Sequence, residues 1–361
     1  MALTTVRPQG MGFNTGRRNL IINGAMQVAQ RGTDINTLVN GSIGADRFKI
    51  NIANIDDLAM DYDQSTDVPS GSGFTNSLKY SVSSVEGAIA ADEYVSFGQR
   101  IEDQNLQHLK YGTSSGEKIT LSFWVKSSVT GTYAISIFQQ DASSSPDRRY
   151  HSKTYTISSA NTWEYKTITI DPNTNDAIAN DTGIGLRIDW VLSAGSNYTS
   201  GSNGTWGDIT NWMVGHNASW ITTSSATFFL TGVQLELGEN ASDFEHRSFG
   251  EELSLCQRYF WRSTGGNFNA VASGNNRSST IARVFLPNPQ IMRSAPTISI
   301  SGTMRGSSGG GNLDITTIDQ VWAGSNSSMV AVQSSSLTSG VGFILHHVND
   351  SSNYIQGDSE L

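Results

Sequence analysis

Residues 118–126 (KITLSFWVK) place Ile119, Leu121, Phe123 and Val125 on one face of an extended chain. Thr120, Ser122 and Trp124 fall on the other. A strand of this kind must bury one face against a second layer, which restricts the chain to sheet-based folds. The same period of two recurs in Ile184, Leu186, Ile188, Trp190 and Leu192, in Leu78, Tyr80 and Val82, and in Phe48, Ile50 and Ile52. It appears again in Tyr133, Ile135 and Ile137, and residues 163–170 and 226–237 fit two more strands. In the last of these the apolar parity changes from Phe228 and Leu230 to Val233, Leu235 and Leu237 across Gly232, which predicts a bulge. Turn clusters at 70–73, 143–147 and 195–207 separate the runs. Many one-faced strands between such turns predict an all-β protein, a β-sandwich or jelly roll.

One helix signal interrupts this pattern. Ser248 followed by Glu251 reads as a capping box, and Leu253 and Cys256 follow at helical spacing. The spacing predicts a short helix over 251–257, a connector where the first β region ends. A second β region follows at 258–262, 279–286, 297–301, 330–333 and 341–347, with Gly/Ser-rich loops such as 306–311. The predicted organisation is an arm at 1–18, a jelly-roll sandwich at 19–250 and a smaller β domain at 251–361. About a hundred residues make a marginal core, so the smaller domain is expected to complete it by associating.

Only 15% of the residues are charged, against about 25% in an average soluble domain, so Ser, Thr, Asn and the 36 glycines must solvate the surface. A net charge of −9 argues against nucleic-acid binding through phosphate neutralisation. The one cysteine, Cys256, excludes an internal disulfide framework and a multi-cysteine zinc site. Leu20, Ile21 and Ile22 follow Arg17 and Arg18, a run too short for the roughly 7–15 apolar residues of an export signal. No run approaches the roughly 20 apolar residues of a membrane span, so a soluble protein without membrane insertion is expected.

Candidates for chemistry are few. Adjacent carboxylates occur at Asp56 and Asp57, Asp92 and Glu93, Glu102 and Asp103, and Glu251 and Glu252. Neighbours on a strand point to opposite faces, so none forms a glycosidase pair alone, and solvated surface acids are the expected reading. His346 and His347 are spaced i, i+1 and cannot share a strand face. Ordinary strand histidines are expected there, with a metal on an oligomer axis as the other reading. Asp171, Asn173 and Asn175 resemble the start of a calcium loop, but Asp176 stands where the turn glycine belongs and Thr182 where the last glutamate belongs. A turn is the better reading. No phosphate-binding loop and no nucleophile elbow is present, and no catalytic residue, metal or cofactor is expected.

Aromatic residues in polar loops remain. Tyr198, Trp206, Trp212 and Trp220 lie among Ser, Thr, Asn and Gly. Flat rings beside amides and hydroxyls suit sugars, whose ring faces are apolar and edges polar. The competing reading places these tryptophans in a core or a subunit interface. Tyr198 and Trp206, in turn-like surroundings, are the stronger glycan-binding candidates, with Trp212 and Trp220 behind them.

Four groups of motifs, in order along the chain, carry a family resemblance. The first comprises RNLIING at 18–24, QRGT at 30–33 and ADRF at 45–48. The second is TLSFWVKS at 120–127, and the third comprises TGVQLE at 231–236, FEHRS at 244–248 and EELSLCQRY at 251–259. The fourth is MRSAPT at 292–297 with the terminal DSEL at 358–361. Together they resemble bacteriophage tail-fibre-like proteins. The resemblance implies a virion fibre or receptor-binding protein, a homotrimer with a carbohydrate-binding-like jelly roll and no catalytic residues to carry over. It further implies that residues 1–18 dock onto another virion protein, that host-surface polysaccharide is the target and that assembly occurs in the host cytoplasm. Specificity would then lie in the loops between the motifs. With no coiled-coil heptads and no shaft repeat, the chain suits a compact tip, a short side fibre or a head appendage. The other readings are a structural head-decoration or tail-connector protein and, disfavoured by the carboxylates, a polysaccharide-degrading enzyme.

Overall fold

The computed structural model describes residues 18–140, 148–201, 204–207, 212–265, 269–309, 311–348 and 353–361. The arm at 1–18, apart from Arg18, and the turn cluster at 143–147 lie outside them. The chain divides into two compact units. Unit 1 comprises the stretch up to Gln27 and Thr33–Arg247, and unit 2 comprises Val28–Gly32 and Ser248–Leu361. No described helix is long and apolar enough to cross a membrane.

In unit 1 the strands are β1 (Asp34–Ile35), β2 (Lys49–Ala53), β3 (Ala59–Ser65), β4 (Ser77–Ser84) and β5 (Tyr94–Glu102). They continue as β6 (Ile119–Ser127), β7 (Gly131–Gln139), β8 (Arg149–Ile157), β9 (Glu164–Ile170), β10 (Ile184–Ala194) and β11 (Thr227–Leu237), with a one-turn helix α1 (Ser196–Thr199) after β10. They form two antiparallel sheets, ordered β1-β3-β4-β11-β6-β9 and β2-β5-β10-β7-β8. The fold is the predicted all-β jelly-roll sandwich.

The alternating residues explain the layers. Ile119, Leu121, Phe123 and Val125 from the first sheet, and Leu186, Ile188, Trp190 and Leu192 from the second, are all fully buried in one core. Rings bridge the sheets, with Phe123 against Trp190 at 5.5 Å and Phe228 against Phe97 at 5.7 Å, while Phe97 stacks on Trp190 within its own sheet at 5.9 Å. Each such side chain contributes about 1.5–3 kcal/mol on burial. The bulge predicted at Gly232 is present. The β11–β6 register shifts between Thr231 and Gln234, and Gly232 has φ +62°. A Cβ there would lie 2.6 Å from the Phe74 ring.

The motif segments clasp one another. Buried Asn19 accepts on Oδ1 from the N–H groups of Ile21 and Leu235, both at 3.0 Å, and donates from Nδ2 to Val233 O at 3.0 Å. Glu245 accepts from Asn19 N at 2.6 Å and pairs with Arg247, whose guanidinium donates to Ile21 O at 3.1 Å. Partial burial would raise the Glu245 carboxyl, but the N–H groups of Asn19 and Arg18 and the Arg247 charge hold it below the usual range. These segments are scaffold.

Unit 2 opens with α2 (Phe249–Gln257), capped by Ser248 Oγ, which accepts from Glu251 N at 3.3 Å. Its strands are β12 (Phe260–Ser263), β13 (Ala270–Asn276), β14 (Ile281–Pro287), β15 (Thr297–Ser301) and β16 (Met304–Ser308). Then come β17 (Gly311–Ile315), β18 (Ile318–Ala323), β19 (Ser327–Gln333), β20 (Gly342–His346) and β21 (Tyr354–Asp358). A sheet β12-β21-β15 and a sheet β17-β16-β20-β13-β14-β19-β18 enclose a second core around Val284, Val330, Phe343 and Leu345. Of the segment read as a loop at 306–311, residues 306–308 instead lie in β16 and Gly311 opens β17, which pairs with it. Gly306 pairs with Leu313, and the residue is glycine because a Cβ there would stand 2.2 Å from the Phe343 ring. The stretch Val28–Gly32 is held in this unit by Arg31. Its guanidinium lies 3.5 Å from the Phe260 ring centroid and pairs with Asp358 at 3.1 Å and Glu360 at 3.6 Å.

Candidate functional site

Residues 195–199 and 212–218, after β10, form a cover over the outer face of the five-stranded sheet. Gly195 N donates to Glu93 O at 2.8 Å, and a Cβ on Gly195 would meet Ala90 O at 2.0 Å, so only glycine lets the chain turn here. Met213 N donates to Tyr198 O and Gly215 N to Thr199 O, at 3.0 and 3.1 Å. Ser136 Oγ donates to Trp212 O at 2.6 Å, and Thr132 exchanges hydrogen bonds with Asn217, tying the cover to β7. Beneath it, Met213 is buried against Ala134 and Val191. His216 accepts from Ala134 N at 3.3 Å, and burial lowers its pKa to about 4, so the ring is neutral and its Nε2–H donates to Ala218 O.

Sheet register and cover together assemble a cluster of rings, half-buried except for Phe138, which is buried. Trp212 lies 4.8 Å from both Tyr94 of β5 and Phe138 of β7, 5.4 Å from Tyr198 and 6.3 Å from Tyr150 of β8. Tyr94 meets Tyr198 at 5.2 Å, and Tyr198 Oη donates to Asp92 O at 3.2 Å.

A charged strip borders these rings. The Arg187 guanidinium lies 4.7 Å from the Phe138 ring centroid and pairs with Asp189, which is fully buried. Burial opposes the Arg187 charge, but Asp189 overrides it and raises the arginine further. Arg187 stands directly opposite Arg100 across the β5–β10 ladder, and Arg100 donates to Asn51 Oδ1 at 3.1 Å. Like charges in that position are destabilising by themselves, and the Asp189 carboxylate paired with Arg187 offsets the repulsion. Burial raises the Tyr94 hydroxyl pKa, with Arg187 opposing the shift and Asp189 adding to it.

The structure separates the four sequence candidates. Tyr198 and Trp212 belong to the cluster. Trp206 packs elsewhere, against Tyr111 and His151, and donates from Nε1 to Asp171 O at 2.7 Å. Trp220 is fully buried in the sandwich core, so it offers no ring face to a sugar. Tyr94, Phe138, Tyr150, Arg187 and Asp189 were missed. Their signal is the outward parity of strands whose inward residues define the core.

The other candidates resolve as structural groups. Asp56 and Asp57 are exposed as expected, but Glu93, Glu102, Asp103 and Glu252 are buried. Local bonds draw some of these acids inward, with Glu93 accepting from Ala90 N at 2.7 Å and Glu102 from Gln104 Nε2 at 2.6 Å. Asn173 Oδ1 accepts from Asn175 N at 3.0 Å, making the expected turn, and Asp176 pairs with Arg149 at 2.8 Å. His346 bonds Ser307 Oγ at 2.8 Å, and His347 bonds Ser263 Oγ and Asn353 Oδ1 at 3.1 and 2.9 Å. Among the described residues no three His, Cys, Asp or Glu side chains gather as a metal site.

No family model and no curated protein matches the chain. Among solved structures it is similar to the enzymatically active domain of tailspike protein 4 from bacteriophage CBA120, at 16% identity and TM-score 0.31 over 56% of this chain. The match spans 21% of the tailspike chain. It is also similar to a family 11 carbohydrate-binding module from Clostridium thermocellum in complex with a mixed-linked tetrasaccharide. That match has 14% identity and TM-score 0.27, covering 58% of this chain and 98% of the module. The CBM22-1 xylan-binding domain from Paenibacillus barcinonensis matches at 9% identity and TM-score 0.26, over 63% of this chain and 99% of the domain. These are low scores over part of the chain, and what the site can do rests on its own residues.

Proposed function

We propose that this chain is a non-catalytic glycan-binding fibre protein of a bacteriophage virion, holding host-surface polysaccharide on the outer face of the five-stranded sheet of unit 1. The ring cluster of Tyr94, Tyr198 and Trp212 beside Arg187 and Asp189 carries the reading. Rings accept the apolar faces of sugars, and the neighbouring guanidinium groups offer donors to hydroxyls. The virion assignment rests on the motif resemblance, and it agrees with those motifs forming scaffold while the cover over the sheet supplies the site. Per-site affinity of such a shallow surface is weak. Three copies per fibre and several fibres per particle raise avidity by roughly 10²–10⁴.

The test is binding of the purified full chain to host cells and to an array of bacterial surface polysaccharides. Staining that is lost in Trp212→Ala and Arg187→Gln, with folding intact, supports the reading. Absence of staining together with no block of infection overturns it. A sedimentation mass near 38.9 kDa overturns the trimer. Release of reducing ends from a bound polysaccharide overturns the non-catalytic assignment.

A further inference from the structure

The outer face of the seven-stranded sheet of unit 2 carries a straight row of side chains that is one residue wide. Trp322 pairs with Met329, Met329 with Phe285, Phe285 with Ser273, Ser273 with Ile344, and Ile344 with Ser307. The four large apolar members are all exposed, at 41%, 37%, 58% and 47% for Trp322, Met329, Phe285 and Ile344. Toward Ser307 the row runs into an open trough of about 400 Å3, lined by Ser273, Ser307, Gly342, Phe343 and Ile344.

We propose that this row is a second binding surface, specific for a single extended chain of an acidic polysaccharide. Width decides against a protein partner. The next row on the same face is Asn275, Arg283, Ala331 and Gln320, polar along most of its length. A stable protein interface needs about 800 Å² per partner with a contiguous apolar centre, which a one-residue stripe bounded by this row on one side and by Pro287 and Ser327 on the other does not supply. One sugar chain fits it. Adjacent strands are about 4.8 Å apart, a step close to the length of one pyranose in an extended chain. Trp322, Phe285 and Ile344 stand on every second strand and offer apolar contact to alternate sugars, while Ser273 and Ser307 offer hydroxyls between and beyond them.

The acidic character comes from Arg283. Its guanidinium lies 4.8 Å from the Trp322 ring centroid, and among the described residues it makes no ion pair. Its Nε is buried without an acceptor. A uronic carboxylate or similar anion on a sugar held against Trp322 supplies the missing counter-charge. This surface shares only the class of ligand with the site on unit 1, and its residues are all different.

The full chain is run by affinity electrophoresis through gels containing polygalacturonate, alginate or hyaluronan, with hydroxyethylcellulose as the neutral counterpart. Retardation in at least one acidic gel is expected, weakened about tenfold in Trp322→Ala and in Phe285→Ala. Arg283→Gln is expected to lose the preference for acidic over neutral gels. Trp322 and Phe285 are exposed and Arg283 is half-buried, and unchanged thermal unfolding confirms that each variant folds. Trp212→Ala is expected to retain the retardation, which separates this surface from the one on unit 1. No retardation in any acidic gel, or retardation indifferent to all three variants, overturns the proposal. It is also overturned if the variants lower the sedimentation mass, which would make the row a contact between copies.

Discussion

Gly98 faces Asp189 directly across the β5–β10 ladder, and a Cβ on Gly98 would stand 2.4 Å from Asp189 Oδ1 and 1.8 Å from Ile188 O. The missing side chain is the space in which the buried carboxylate reaches Arg187. Gly98→Ala is therefore expected to push the strands apart, costing about 1–3 kcal/mol in chemical denaturation. Removing the carboxylate with Asp189→Ala strands a largely buried guanidinium and is expected to cost about 3 kcal/mol. An unchanged unfolding midpoint in both would show that the pair does not organise this face.

Trp212 and Trp220 are eight residues apart and should behave oppositely. Trp212→Ala removes the ring that joins Tyr94, Tyr198 and Phe138 and is expected to weaken glycan binding about tenfold with a small change in stability. Trp220→Ala opens a cavity in the core and is expected to cost about 3–5 kcal/mol. Ligand-induced change in tryptophan fluorescence, measured on Trp212→Phe and Trp220→Phe, assigns the responding ring.

Acid should destabilise unit 1 in two stages. Burial lowers His216 and His151 from 6.5 to about 4. Between those values the unfolded chain binds protons that the folded chain refuses, so stability falls as pH falls from about 6.5 to about 4. The slope is at most about 1.4 kcal/mol per pH unit for each histidine. Asp67, Glu164 and Glu245 are held below their usual ranges, so their contribution is present above the carboxylate range and is lost at lower pH still. Thermal unfolding across pH 4–7 is expected to show the first stage with a reduced slope in His216→Gln. An unchanged slope would remove His216 as a cause.

Asn19→Ala should be among the most damaging changes outside the hydrophobic core. It leaves the N–H groups of Ile21 and Leu235 and the carbonyl of Val233 without their partner in a buried place. At about 1–3 kcal/mol for each unsatisfied group, a loss of at least about 3 kcal/mol is expected in denaturant titration. Asn19→Asp keeps the acceptor and should recover part of it.

Local periodicity made much of the fold legible. The strand at 118–126, the bulge at Gly232 and the Ser248 cap each depend on residues close together in sequence, and each is found as expected. Several strands of unit 2 left no such trace. β13 (AVASGNN) and β16 (MRGSS) pair through backbone bonds that any residue supplies, and Gly306 in β16 is explained only by Phe343 from a strand far along the chain.

The sites show where local reading stops. The sequence alone determined that strands with one buried face would fill this chain, because side chains on a strand alternate whatever the strand pairs with. It also placed aromatic residues in the stretch after β10. Tertiary structure decided that Trp212 caps a sheet while Trp220 enters the core. It also brought Tyr94, Phe138, Tyr150 and Arg187 together, because β10 lies between β5 and β7 in the sheet though not in the chain. The outward face of a strand has no meaning until its partners are known, and those partners are set by long-range pairing that no local pattern encodes.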